Sequence, residues 1–194
     1  MASGPLFPRM LRAAKLESQL YEEVEADQGA TGQALLAVVI VSLCSGVGHG
    51  IAGLMKGGSA GIGMFFVNLV TGAIGSLIAW FIFSLLCFWL GTTLFKGPDT
   101  KSSLGELLRV VGFADSPGVL NLFSFIPFIG PIIPFVTWAW TVIAAVIGVR
   151  QACDFTTGRA IGTVIVAAII PIIIMIIIAV VVGGALAAVL GGMK

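Results

Sequence analysis

The amino-acid sequence predicts an all-α fold: a polytopic integral membrane bundle of five transmembrane helices with a cytoplasmic N-terminus. Three observations lead to this class, namely the composition, the length of the apolar runs and the positions of the charged connectors. Hydrophobic residues make up 58% of the 194 residues and charged residues 10%, against about 45–50% and about 25% in soluble domains. The 26 glycines lie largely inside apolar runs. A soluble globule and a disordered or collagen-like chain are therefore both excluded.

Residues 1–30 form the first predicted unit, a cytoplasmic segment that is amphipathic and acidic. Leu16, Leu20, Tyr21 and Val24 follow helical spacing among acidic residues, which predicts a helix on the membrane surface or on the bundle. A cleavable signal peptide has a basic start followed at once by a short apolar core. Here a long polar and amphipathic stretch comes first, so we expect the first apolar run to be retained as a span.

Residues 31–194 form the second predicted unit, a five-span membrane domain. A helix needs about 20 apolar residues to cross roughly 30 Å of hydrocarbon, and three of the runs meet this requirement directly. The expected spans cover about residues 33–55, 62–95, 117–129, 132–149 and 160–185.

The connector between the second and third spans carries its own helix signal. Ser103 and Glu106 have the spacing of a capping box, and leucines and a valine then follow helical spacing from Leu104 to Val111. We therefore expect an amphipathic helix here, on the membrane surface or on the bundle.

The third and fourth spans are predicted from a proline-rich stretch. Pro127, Pro131 and Pro134 interrupt residues 117–149, with Gly130 among them, and proline inside a helix removes a backbone hydrogen bond. We expect a hairpin of two spans that begins at Ser116–Pro117 and turns around Gly130. The alternative is a re-entrant hairpin that enters the membrane and returns on the same side.

Orientation follows from the basic residues of the short connectors. Five spans place eight of them on one side, which is expected to be cytoplasmic: Arg9, Arg12, Lys15, Lys96, Lys101, Arg109, Arg150 and Arg159. Lys56 and Lys194 fall on the other side. Every acidic residue is expected on the cytoplasmic side as well, and none lies inside a proposed span.

The acidic residues before the first span share this side with three arginines. We hypothesise that Glu25 or Asp27 pairs with Arg109 or Arg150 and holds the N-terminal segment across the cytoplasmic end of the bundle. The alternative is a solvated acidic face without a fixed partner, since exposed ion pairs contribute only about 0–1 kcal/mol.

Small residues recur at every fourth position of the first span, at Ser42, Gly46 and Gly50. Such residues let helix backbones approach in lipid, so we expect this face to pack inside the bundle or to form a homo-oligomer contact. His49 is the single histidine, and the three cysteines show neither a disulfide nor a metal-ligand spacing. We expect no cofactor, no metal and no catalysis, because no known enzyme motif occurs.

Several short motifs resemble the prokaryotic branch of the Yip family, which is named for interaction of its eukaryotic members with Ypt/Rab-type GTPases. The resemblance covers about residues 6–182 and includes Tyr-Glu-Glu-Val-Glu-Ala-Asp at 21–27, a Gly-Phe-x-x-x-Pro element and Gly-Val-Arg-Gln-Ala at 148–152. Within these motifs, the candidates for partner binding or for a structural role are Tyr21, Glu22, Glu23, Glu25, Asp27, Arg109, Gly112, Phe113, Pro117, Pro127, Gly130 and Arg150. It implies five transmembrane helices with a cytoplasmic N-terminus and, in eukaryotic members, roles in vesicle traffic and organelle shaping.

The sequence thus predicts a multi-pass protein of the cell membrane that is not an enzyme. Its expected role is that of a scaffold or adaptor in contact with the lipid bilayer, binding a protein partner through its cytoplasmic face or a second copy through its glycine-rich helix faces. Nucleic acid is not expected, because no dense basic patch occurs. The alternatives are a small transporter or channel for a lipid or neutral solute, and an accessory subunit of a membrane complex.

Overall fold

A computed structural model describes the backbone of residues 4–55 and 62–191 and the side chains of residues 4–55 and 63–181. Lys56 and Lys194, the two basic residues expected on the far side of the membrane, lie outside these ranges. Within them every regular element is a helix and no strand occurs, so the all-α class is confirmed. The helices are α1 (Leu6–Ala14), α2 (Ser18–Ala26), α3 (Ala30–Met55), α4 (Ile62–Thr92), α5 (Leu104–Ala114), the 3₁₀ helix η1 (Ser116–Phe125), α6 (Ile133–Ala152) and α7 (Thr157–Gly191).

Four helices in the described part of the chain are long and apolar enough to cross a membrane. They are α3, α4, α6 and the Thr157–Val181 part of α7. Their outer surfaces carry large exposed apolar side chains such as Phe66, Ile78 and Ile165, which is the pattern expected of helices that face lipid. The chain is therefore a multi-pass membrane protein, but five helices of spanning length are not confirmed.

The predicted third span is the one for which the structure has no helix of spanning length among its described residues. In place of a helix over residues 117–129 the structure has η1, whose ten residues extend only about 20 Å at the rise of a 3₁₀ helix, less than the roughly 30 Å of a hydrocarbon core. Pro127 ends it, because the residue before a proline is disfavoured in helical geometry, and Ile126 is extended with ψ 124°. The predicted start is correct, since Pro117 lies in the first turn.

A tight turn joins η1 to α6. The N–H of Gly130 donates to the carbonyl of Ile126 at 2.7 Å, and a Cβ at Gly130 would collide with the carbonyls of Ser124 and Ile126. Phe128 adopts φ +68° and is 94% exposed. Pro127 and Gly130 therefore form the turn expected from the sequence.

This turn and the N-terminal helices mark opposite ends of the bundle. Residues of the turn line a cavity of about 390 Å³ together with His49 and Met55 near the end of α3; we call this the far end. At the other end, which we call the tail end, Phe95 after α4 contacts Gly162 near the start of α7. α5 and η1 in succession run from the tail end to the far end.

The connector helix α5 begins as expected. The N–H of Glu106 donates to Oγ of Ser103 at 3.3 Å, and Oε2 of Glu106 accepts from the N–H of Ser103 at 2.8 Å, which confirms the capping box. Leu107 and Val111 are buried. The helix packs against α3, α4 and α6, so of the two expected positions it occupies the one on the bundle.

The N-terminal segment forms two helices on the bundle, separated by Leu16 with φ +62°. Leu20, Tyr21 and Val24 of α2 are fully buried, which confirms the amphipathic helix and places it on the bundle. α1 is not predicted from the sequence; it buries Met10 and Ala13 and leaves Phe7 and Leu11 exposed.

The small-residue pattern of α3 packs against α4. A Cβ at Gly46 would lie 2.6 Å from the Leu69 side chain, and Gly50 faces the ring of Phe65. The small residues of α3 therefore allow close packing between helices of the same chain. All three cysteines are free thiols.

Candidate functional site

A network of ion pairs at the tail end joins the first three helices. Arg9 of α1 is buried, and its Nη2 lies 2.9 Å from Oε1 of Glu23 and 2.9 Å from Oδ2 of Asp27. Its Nη1 donates to Oε1 of Gln33 on α3 at 3.1 Å. One guanidinium therefore holds α1, the end of α2 and the start of α3 together.

Arg12 extends this network towards solvent. Its Nη1 lies 2.7 Å from Oε2 of Glu23, and its Nε lies 2.9 Å from Oε2 of Glu17. Hydrogen bonds from Arg12 and then Arg9 lower the pKa of Glu23, and the bond to Glu23 raises the pKa of Arg12. Both side chains of the Arg12–Glu23 pair are substantially exposed, so this pair contributes little to stability.

Arg109 of α5 is buried and binds the C-terminal end of α2. Its Nε donates to the carbonyl of Val24 at 2.8 Å, and its Nη2 donates to the carbonyl of Glu25. The last carbonyls of a helix lack intrahelical donors and carry partial negative charge. Arg109 satisfies two of them and thereby fixes α2 on the bundle.

These contacts correct the pairing hypothesised from the sequence. Asp27 pairs with Arg9, while Arg109 binds carbonyl groups and Nε of Arg150 donates to Oε1 of Gln151 at 3.3 Å. The N-terminal segment lies across the tail end as expected, but the contacts that hold it there differ from the hypothesised pairs. The sequence gives no sign of the role of Arg9, because it lies near the start of the chain, in a helix that the sequence does not predict.

The Glu25 carboxyl lies next to Arg109 without a hydrogen bond. Its Oε2 is inaccessible and has no hydrogen-bond partner among the described residues. Burial, followed by repulsion from Glu106, Asp154 and Glu22, raises the pKa of Glu25 to about 7, although Arg109 acts in the opposite direction. Glu25 is therefore an acid whose charged form the fold disfavours.

Tyr21 anchors α2 to α6. Its ring is fully buried and its hydroxyl donates to the carbonyl of Ala13 at 3.3 Å; burial also raises its pKa. A Cβ at Gly148 would lie 3.1 Å from this ring. Beside it, Nε2 of Gln151 donates to Oε1 of the exposed Glu22 at 2.6 Å.

The Gly-Phe-x-x-x-Pro element joins α5 to η1 and packs on α3. A Cβ at Gly112 would lie 2.8 Å from the Ala34 Cβ and 3.0 Å from the Ala34 carbonyl oxygen. Phe113 is fully buried and Pro117 is buried at the start of η1. The element sets the close crossing of α5 over α3. Within the described residues, no group of histidine, cysteine and acidic side chains has an arrangement that could hold a metal ion.

Comparison with known proteins gives one family match. The model of the Yip1 domain matches residues 17–182, a range that begins just before α2 and contains Tyr21, Arg109, Gly112 and the turn at Gly130. No curated protein and no solved structure matches the chain.

Proposed function

The chain belongs to the Yip1 domain family, and from this premise we propose that it is a scaffold or adaptor of the cell membrane that presents the tail end to a protein partner in the cytoplasm. The role requires binding and no catalytic step. We call the proposed binding surface the tail face and define it as Glu22, Glu23, Arg150 and Gln151.

The observation that carries this proposal is the rigid attachment of α2. An acidic segment at a chain terminus is ordinarily a solvated face without a defined shape. Here Arg109 binds the last carbonyls of α2 and Tyr21 is buried against α6, while Glu22 and Glu23 stay exposed. A fixed surface that combines acidic, basic and amide groups can select a partner by complementary charge.

We also propose the path of the chain through the membrane. α5 and η1 together extend about 36 Å, enough to cross the hydrocarbon core. We infer that they make the third of five crossings jointly, with the N-terminus cytoplasmic. The support is the position of the turn at Phe128 beside the end of α3 and the charge distribution of the connectors.

The test is capture of the partner in native membranes. The protein is extracted gently after a photoreactive amino acid has been placed at position 26, an exposed site one helical turn after Glu22. We expect one protein to be crosslinked and retained in stoichiometric amount. Charge reversal by Glu22→Lys should weaken its retention by about tenfold or more, because like charges at an interface repel.

Asp99→Lys is the matched control, since Asp99 is also an exposed acid but lies in the connector after α4. It should leave retention unchanged. Equal loss in both variants would indicate a general charge effect and contradict the tail face. Retention of no protein at all would contradict the scaffold role.

A further inference from the structure

A cavity of about 560 Å³ lies where helices α3 to α7 meet. Ile78 of α4, Thr141 of α6 and Ala168 of α7 line it, and each lies within about one turn of the midpoint of its candidate span. The cavity therefore lies near the middle of the spanning helices, at a depth where lipid and not water surrounds the bundle.

Asp115 lines this apolar cavity. It follows α5 and precedes η1, and the close contact of Gly112 with Ala34 and the start of η1 at Pro117 fix its position. From the sequence it is expected in a cytoplasmic connector with the other acids, because it falls between predicted elements. The fold instead brings it to the level of the span midpoints.

The Asp115 carboxyl has no partner in the described part of the chain. The ion pairs there involve Arg9 and Arg12 only. Asp115 occupies the N-cap position of η1 but makes no side-chain capping bond. The residue is partly accessible, so a molecule in the cavity can reach it.

A carboxyl group among apolar walls is unfavourable unless a donor or a cation meets it. The other polar side chains that line the cavity and could donate are the hydroxyls of Ser76 and Thr141, since the indole N–H of Trp80 already donates to the carbonyl of Leu108 at 3.0 Å. Pro171 of α7 also lines the cavity. The lining thus combines apolar walls with the carboxyl of Asp115 and two hydroxyls.

We propose that this cavity binds an apolar molecule that carries a single amine group, with Asp115 as the residue that binds the amine. An amine supplies the positive charge and the N–H donors that the Asp115 carboxyl can accept. The apolar part of the ligand fills the space between Val38, Phe83 and Ile78. The site is independent of the tail face.

The probe for the test is a photoreactive alkylamine, an alkyl diazirine with a terminal primary amine, applied to the whole protein in lipid nanodiscs. Mass spectrometry maps the labelled residues. We expect labels on α4 between Gly75 and Phe83 and on α7 near Pro171, with competition by adamantan-1-amine and none by adamantan-1-ol. Asp115→Asn should weaken binding by about 30-fold or more, because the amine loses its charged partner. Asp154→Asn should leave it unchanged.

A second pair of variants keeps the test decisive if Asp115→Asn does not fold. At both Gly75 and Gly72 a Cβ would meet no atom within 4 Å, but Gly75 lines this cavity and Gly72 lines a neighbouring one. Gly75→Leu should abolish labelling by filling the site, and Gly72→Leu should not. Labelling that survives Gly75→Leu, that spreads evenly over the lipid-facing residues, or that adamantan-1-ol competes equally would overturn the proposal.

Discussion

At the residue scale, Arg109 and Glu25 are neighbours at the tail end, but their side chains do not hydrogen-bond to each other. The Arg109 guanidinium points at the carbonyls of Val24 and Glu25, where the geometry of a helix end provides two acceptors at once. The Glu25 side chain is instead partly buried and is repelled by nearby acidic side chains. The protonated form of Glu25 is therefore the form that the folded protein favours.

This arrangement predicts a pH-dependent stability. The pKa of Glu25 is about 7 in the folded protein and 4.5 ordinarily, so its contribution is complete below about pH 4.5 and is lost as the pH rises through about 7. Glu25→Gln removes this loss. We expect the Tm of the variant in detergent to exceed that of the unsubstituted protein at about pH 8 and to match it near pH 4.

Asp99→Asn serves as the control for this comparison, because Asp99 is an exposed acid that is not among the groups that shift the pKa of Glu25. It should leave the pH dependence in place. A Glu25→Gln variant whose Tm follows that of the unsubstituted protein at every pH would show that Glu25 does not titrate as argued.

At the element scale, the crossing of α5 over α3 depends on the absence of a side chain at Gly112. Gly112→Ala should destabilise the protein by about 1–3 kcal/mol, because the added methyl group would overlap Ala34 and two packed helices would have to move apart. Thermal unfolding in detergent measures the effect. Gly32→Ala on α3 is the control, since nothing lies within 4 Å of its Cβ position. Equal Tm values for the two variants would contradict the close crossing.

The elements that the sequence predicts are those with a local signal. The capping box at Ser103 and the apolar stripe of α2 are encoded within a few residues of chain, and both occur in the structure. The 3₁₀ geometry of η1 has no such signal, because it results from packing against α3 and from the turn at Pro127. The position of Asp115 near the midpoints of the spanning helices could not be predicted for the same reason. It depends on how α5 and η1 follow one another across the bundle.

At the scale of the whole molecule, the order of elements makes the proposed five crossings compatible with four long helices. α3 and α6 end at opposite ends of the bundle, and only α5 and η1 connect the tail end to the turn that precedes α6. A 3₁₀ helix at membrane depth is tolerated when protein covers its backbone. η1 meets this condition through its extensive packing on α3 and α6.

This path predicts which residues a membrane-impermeant maleimide can reach in intact cells. Phe128→Cys, at the exposed turn of the far end, should react directly, whereas Lys101→Cys in the connector after α4 should react only after the membrane is permeabilised. The unsubstituted chain controls for background, because Cys87 and Cys153 are buried and Cys44 is half-buried in α3. If α5 and η1 formed a re-entrant hairpin, Phe128→Cys would stay unlabelled from outside. Labelling of Lys101→Cys in intact cells would instead reverse the orientation of the whole bundle.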